Sequence, residues 1–459
     1  MGEKRAFLIS ILLVLLLLLD GCMHNVEPHS VATADLKGKV PVPARFKSSY
    51  LGGSVKDGWL KSFRDPVLNR LVKEAQRKNP NLALAASRVQ RAAATMRLTE
   101  SGMLPRLDIV GDYEYRSYAI ASSHDVGSGA FSLSWEPDLW GRISNMAASD
   151  CELTVAEMAD YEYARQSLSA NTAKAWFQLG ADRMIYEFSK RVVGIQEQVG
   201  DILQKRAAIG QGNMRDVHMS RGMVAEAREA AQAALTAKQR DARALETIIG
   251  RYPASTIGSR RLVAVPPSVP SGVPADLLNR RPDIVAARYR VAAAFHNKKA
   301  AELLRLPSIN LGVTVGADVI EGTMAKLIGG LFMPVFDAGA VQARIDAASA
   351  DQKAAIANYR AVVLRAFREV ENALAQERQL ARRYAYLSTM VKEFKTAYDM
   401  TYKNYKIGQG TLLDVLNVQA KWINARIARV QILKERLVNR VNLHLALGGS
   451  FEKRNIKRR

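Results

Sequence analysis

Ile209-Gly-Gln-Gly-Asn-Met-Arg-Asp-Val217 returns as Ile407-Gly-Gln-Gly-Thr-Leu-Leu-Asp-Val415, identical at six of nine positions. A second match lies upstream of each copy: Pro80 to Pro105 aligns without a gap on Pro282 to Pro307. Leu82/Ile284, Ala85/Ala287, Arg88/Arg290, Val89/Val291, Glu100/Glu302 and Leu104/Leu306 agree in character. Two short loops and one long apolar pattern recurring in the same order make the chain a duplication of one unit of about 185 residues.

Working outward from the glycine motifs, each is preceded by a long proline-free helical pattern, from about Leu139 to Ala208 and from Ala338 to Lys406. At 1.5 Å per residue such a helix extends roughly 105 Å. Ordinary globular helices are far shorter, so coiled-coil-like packing is expected. Shorter helices, Asn213 to Ile249 and Thr411 to Leu447, return after the motifs. Gly210 and Gly408 suit the left-handed residue that ends a helix. Asn213 and Thr411 suit the next N-cap, with Asp216 and Asp414 three residues on as acidic partners.

Ahead of each long helix the periodicity changes to two. Leu107, Ile109, Gly111, Tyr113 and Tyr115 alternate with Asp108, Val110, Asp112, Glu114 and Arg116. After a polar loop, Ser122 to Ser128, a second strand carries Phe131, Leu133 and Trp135 on one side. The second half repeats the hairpin, with Ile309, Leu311, Val313 and Val315 on one face. A fourth strand is expected from about Lys326 to Phe336, with Leu327, Leu331 and Met333 on the polar side. Upstream, Asp65 to Ser101 reads as one helical stretch that Pro105 stops. The linker Pro253 to Pro274 separates the halves.

The domain plan is therefore residues 1–21 a signal peptide, 22–65 an N-terminal segment, and 66–250 the first repeat. A linker at 251–275, the second repeat at 276–449 and a basic tail at 450–459 complete it. Lys4 and Arg5 precede an apolar run from Ala6 to Leu19, too short to span a bilayer but right for a secretory signal. Leu19-Asp20-Gly21-Cys22 has the lipobox pattern, with Asp20 atypical, so Cys22 is the expected lipid-attachment site and mature N-terminus. The alternative is an ordinary cleaved signal with Cys22 incidental. Met23, in place of an aspartate, points to the outer membrane. An exported chain makes nucleic acid an improbable partner despite the net charge of +22, which a solvated basic exterior explains best. Cys151, the other cysteine, has no partner for an intrachain disulfide and is expected to lie quietly against a helix.

Four strands with one greasy and one wet face describe a membrane barrel wall, yet the smallest such barrels have about eight strands and tolerate no open edge. One chain cannot close a barrel, and three chains contributing twelve strands is the favoured closure. The fold class expected is thus mainly α with a small β-barrel part. Long coiled-coil helices form an α-barrel, four transmembrane strands come from each chain, and the whole closes in a homotrimer.

Further motifs identify a resemblance. These are Trp135-Glu-Pro-Asp-Leu-Trp-Gly-Arg142, Asp276-Leu-Leu-Asn-Arg-Arg-Pro-Asp-Ile-Val-Ala-Ala287, Pro334-Val-Phe-Asp-Ala-Gly339, Ala366-Phe-Arg-Glu-Val-Glu371 and Gly410-Thr-Leu-Leu-Asp-Val-Leu-Asn-Val-Gln419. With the lipobox they make the chain resemble the outer-membrane factor (TolC-like) family, in its OprM- and NodT-like lipoprotein branch. That resemblance implies an exit duct anchored in the outer membrane lipid and extending into the periplasm. It implies docking with a periplasmic adaptor (membrane fusion protein) and a proton-driven inner-membrane pump, for export of drugs or small molecules. It further implies periplasmic tips at Gly210, Gly212, Gly408 and Gly410 that contact the adaptor. A periplasmic gate at Asp414, Leu413 and Asn417 is also implied, Asn417 standing where relatives often carry a second aspartate. The same residues read without the resemblance could simply turn a corner. Tyr402 and Tyr405, one turn before the second tip, are expected to pack, with a helix-to-helix hydrogen bond as the alternative. Tyr113, Tyr115 and Trp135 suit a membrane-interface belt.

The six histidines share no metal spacing, no phosphate loop follows a strand, and no catalytic set is present, so no cofactor, no metal and no enzymatic activity are expected. The rival readings are an exit channel for type I protein secretion and a non-pore periplasmic coiled-coil adaptor. The second lacks any use for paired strand hairpins.

Overall fold

The computed structural model describes residues 26–36, 38–48, 53, 55, 57–116, 124–258, 261–318 and 322–450. The signal segment, Cys22 and the basic tail from residue 451 lie outside the described residues, as do the backbone at 117–123 and the side chain of Tyr115. The elements run α1 (Pro66–Lys78), α2 (Pro80–Ser101), β1 (Arg106–Arg116), β2 (His124–Trp135), α3 (Arg142–Ala208), α4 (Met214–Ile248). Then the same order repeats as α5 (Pro274–Arg280), α6 (Pro282–Glu302), β3 (Ser308–Asp318), β4 (Gly322–Phe332), α7 (Ala340–Lys406) and α8 (Leu412–Ala446). α3 and α7 are each 67 residues long, and α4 and α8 each 35, so the duplication extends to the lengths of the elements.

The single helix expected over Asp65 to Ser101 is two. Asn79 leaves the helical region (ψ 122°) because the ring of Pro80 excludes it. Asn79 makes use of the break: its amide donates to the Ile248 carbonyl at 2.7 Å and its side-chain oxygen accepts from Leu82 N at 3.1 Å. Arg281, ahead of Pro282, breaks the second repeat in the same way (ψ 119°).

The chain divides into two compact units, and each draws on both repeats. The first comprises residues 1–41, 85–161 and 283–363. It holds one antiparallel sheet of order β1-β2-β3-β4. The register sets Ile109 opposite Phe131 and Phe131 opposite Val315, so those side chains share a face. Asp108, Ser132 and Thr314 line up on the other. β2 starts at His124, within the polar loop expected at Ser122 to Ser128, since a ladder is made by backbone groups that serine and glycine supply as well as valine does. β4 also differs from expectation. It ends at Phe332, before Pro334, and its register puts Leu327 opposite Val313 and Leu331 opposite Ile309. Those two leucines therefore lie on the apolar face, and Ile328 and Phe332 fall on the other. Trp135 is not in a surface belt: it is buried, and its indole N–H donates to the Met103 carbonyl at 3.0 Å.

Aspartates start both long helices. Asp138 accepts from Ile143 N at 2.9 Å and Ser144 N at 2.6 Å. Asp337 accepts from Gly339 N at 3.0 Å and Val341 N at 2.7 Å. Cys151 lies within α3 and is exposed in the chain.

The second unit comprises residues 42–84, 162–282 and 364–459. Trp59, Phe63, Leu68, Val72, Trp176, Phe177, Leu245 and Leu437 form its core. Asp65 caps α1 and also accepts the Trp176 indole N–H at 2.7 Å. Arg440, fully buried, pairs with Glu377 and donates to the Pro266 carbonyl at 2.6 Å, which fixes the linker against α7 and α8. A second apolar cluster, including Phe188, Leu203, Val217, Tyr398, Tyr405, Val415 and Trp422, packs the four helices near the glycine motifs.

Candidate functional site

Both glycine motifs fall in the second unit, where each reverses a long helix into a short one. Gly210 (φ 73°) and Gly408 (φ 80°) take the left-handed conformation that glycine adopts without cost. At the first tip Gly210 N donates to Ala207 O at 3.1 Å and Gln211 N to Arg206 O at 2.9 Å. At the second, Gly408 N donates to Tyr405 O at 3.1 Å and Gln409 N to Asn404 O at 2.9 Å. Four carbonyls at the helix ends are thus satisfied in the same way.

The new helices begin differently. Thr411 and Asp414 form a closed capping box: Asp414 N donates to Thr411 Oγ1 at 3.2 Å, and the Asp414 carboxylate accepts from Thr411 Oγ1 at 2.6 Å and Thr411 N at 3.2 Å. Those hydrogen bonds hold the Asp414 carboxyl below the usual carboxylate range. At Asn213 the side chain accepts from Arg215 N at 2.9 Å, and Asp216 stands 3.6 Å from the Arg215 guanidinium instead of completing a box.

Leu413 and Asp414, with Asn417 one turn further on, are all exposed on one side of α8, while Leu412, Val415, Leu416 and Gln419 are buried on the opposite side. The second tip thus offers an apolar, an anionic and an amide side chain together. Tyr405 is buried and Tyr402 half-buried, with Tyr398 stacked on Tyr402 at 5.9 Å and on Trp422 at 5.5 Å. Packing is therefore their observed role. Two cross-links between the repeats carried no sequence signal. Arg206 donates to the Lys406 carbonyl at 3.2 Å and covers the Tyr405 ring, and Gln196 donates to Gln419 at 3.0 Å. Neither is visible in spacing, because each joins residues about 200 positions apart.

Among the described residues no group of three or more His, Cys, Asp or Glu is placed to hold a metal, and no helix is long and apolar enough to cross a membrane. Two of the histidines have separate partners: His29 meets Glu152 at 2.9 Å, and His444 is buried flat against Trp59.

Comparison with known proteins places this arrangement. Residues 71–251 and 273–449 match the profile of the outer membrane efflux protein family. The chain is 28% identical to the pyoverdine export outer membrane protein OpmQ of Pseudomonas putida, over 86% of this chain and 88% of that protein. It is 26% identical to the cation efflux system protein CusC of Escherichia coli, over 95% of this chain and 97% of CusC. In structure it is similar to the CmeC outer membrane channel of Campylobacter jejuni, with TM-score 0.84 and 22% identity, covering 90% of this chain and 94% of CmeC. It is also similar to the open state of the Neisseria gonorrhoeae MtrE channel, with TM-score 0.81 and 24% identity, covering 90% and 97%. A mainly helical chain with one small four-stranded sheet, duplicated and matched along most of its length, belongs to the outer membrane efflux protein family.

Proposed function

We propose that the chain is the outer-membrane exit duct of a tripartite efflux system, passing small molecules outward without chemistry of its own. The observation that carries this is a sheet apolar on one face whose edge strands β1 and β4 have no further strand partner among the described residues. Such edges cannot persist in lipid. Three copies joined β4 to β1 give twelve antiparallel strands, an even number as barrels of this kind require. In this reading the four-stranded sheet sits in the outer membrane, Cys22 carries the lipid anchor, and α3, α4, α7 and α8 of three copies enclose a periplasmic conduit.

The two tips then face the inner membrane. Gly210, Gly212, Gly408 and Gly410 leave backbone open to close approach by a periplasmic adaptor, which connects the duct to a proton-driven pump. Asp414, Leu413 and Asn417, brought together three times by the trimer, form a constriction at the end of the conduit, with an anionic ring that favours cations. The relatives are named for exporting pyoverdine, cations and toluene, which favours a small solute over a secreted polypeptide as cargo.

Accumulation of a fluorescent cationic dye in deletion and complemented strains tests the export reading. Higher accumulation in the deletion, restored by the intact gene, is expected. Equal accumulation in all strains contradicts multidrug export.

A further inference from the structure

A cavity of about 140 Å³ in the second unit is lined by four arginines: Arg191 on α3, Arg261 on the linker, and Arg426 and Arg429 on α8. Arg426 and Arg429 are half-buried and the other two are exposed. Among the described residues lining the cavity Glu187 is the one carboxylate, and it is already engaged, with Arg183 at 2.7 Å and Arg261 at 3.9 Å. Arg426 lies over the face of Phe188, its guanidinium carbon 4.4 Å from the ring centroid, an arrangement that fixes the cation without neutralising it.

Four guanidiniums around one carboxylate repel one another, and arginine does not escape by losing a proton. Burial, and then the charges of Arg191, Arg429 and Arg261, push Arg426 below the usual arginine range. We propose that this pocket binds a phosphate-class dianion, either free or as the terminal group of a larger solute. Planar guanidinium forks suit a tetrahedral oxyanion better than they suit chloride. The volume is enough for such a group. One bound anion joins α3 of the first repeat, α8 of the second and the linker between them. It also gives part of the +22 charge a specific task.

The test is thermal unfolding of the full-length protein in detergent, with inorganic phosphate added at ionic strength held constant by sodium chloride. The wild type is expected to gain stability saturably with phosphate. In an Arg191→Gln/Arg429→Gln variant the apparent phosphate affinity falls at least tenfold. The variant's Tm in chloride alone stays at or above that of the wild type, because repulsion has been removed. Glycerol phosphate separates the two sources: an equal shift identifies a terminal group, and no shift identifies the free ion. The proposal is overturned if phosphate does no more than chloride for the wild type, or if the variant keeps the full phosphate response. A variant that loses Tm or trimer in chloride also overturns it, since the arginines would then be making structural contacts, within the chain or with a neighbouring copy.

Discussion

At the first tip, a Cβ on Gly212 would stand 2.7 Å from Ala207 N and 3.0 Å from the Arg206 carbonyl carbon, whereas at the second tip one on Gly410 would have 3.8 Å of room beside Tyr405 N. The second tip has what the first lacks: a closed capping box and, beside it, an exposed leucine, aspartate and asparagine. Duplication supplied one motif twice, and the copies have separated. The first tip is tight and carries a partial cap, while the second has spare room at its glycine and displays an apolar, an anionic and an amide side chain side by side. The same divergence runs up the stems. Asp182 on α3 is 7% exposed, and Leu380, its counterpart on the equally long α7, is also 7% exposed, so one repeat buries a carboxyl where the other buries a leucine.

The largest expected effect breaks this comparison at the glycines. Gly212→Ala should destabilise the first tip by about 1–3 kcal/mol, as overpacking does. Gly410→Ala should change stability by no more than about 0.5 kcal/mol. Denaturant unfolding of the two variants, side by side, checks the asymmetry, and equal losses would remove it.

Next comes the buried carboxyl. Burial, and then the neighbouring Asp241 carboxyl, push Asp182 up to about 7, against the opposing hydrogen bond from Gln178 and the charge of Lys434. A carboxyl raised above its unfolded value of 3.8 binds its proton more tightly in the folded state. It therefore costs stability progressively as pH rises from about 4 to about 7. Asp182→Asn should flatten that stretch of the Tm–pH curve, and Leu380→Asn should not. A wild-type curve already flat there would refute the assignment.

The caps predict a smaller loss. Thr411→Ala removes one partner of the capping box and should cost about 1 kcal/mol, seen as faster amide exchange in the first turn of α8. Unchanged exchange at Asp414 N would show that the box contributes nothing. The smallest effect is one of pH. Asp414 has a lowered pKa, so its contribution is complete above the ordinary carboxylate value and is lost as pH falls through the lowered one. Acid should therefore loosen the second tip's exchange protection, and Asp414→Asn should abolish that dependence.

Much of the architecture was legible because periodicity and punctuation carry it. The duplicated motif, the proline-free runs and the alternation in β1 placed both hairpins and all four stem helices within a few residues. The misreadings have local causes. β4 alternates between two apolar sets, and only pairing with β3 decides that Leu327 and Leu331 belong with Val313 and Ile309. Asn79 falls inside a helical pattern until the constraint from the following proline is counted, and Arg281 before Pro282 shows the same break. At the tips the caps could be read from Thr411 and Asp414. The tightness at Gly212 and the bond from Arg206 to the Lys406 carbonyl could not, because both depend on backbone path and not on residue type.

We propose, as the central claim, that this chain makes a conduit narrowed at its second tip. Single-channel recording of the purified protein in a planar lipid bilayer tests it most directly. Wild-type protein should insert and conduct weakly, and Asp414→Ala should raise the conductance, with matching sensitisation of cells to vancomycin. Stable trimers that insert without conducting, with or without Asp414, would contradict the account.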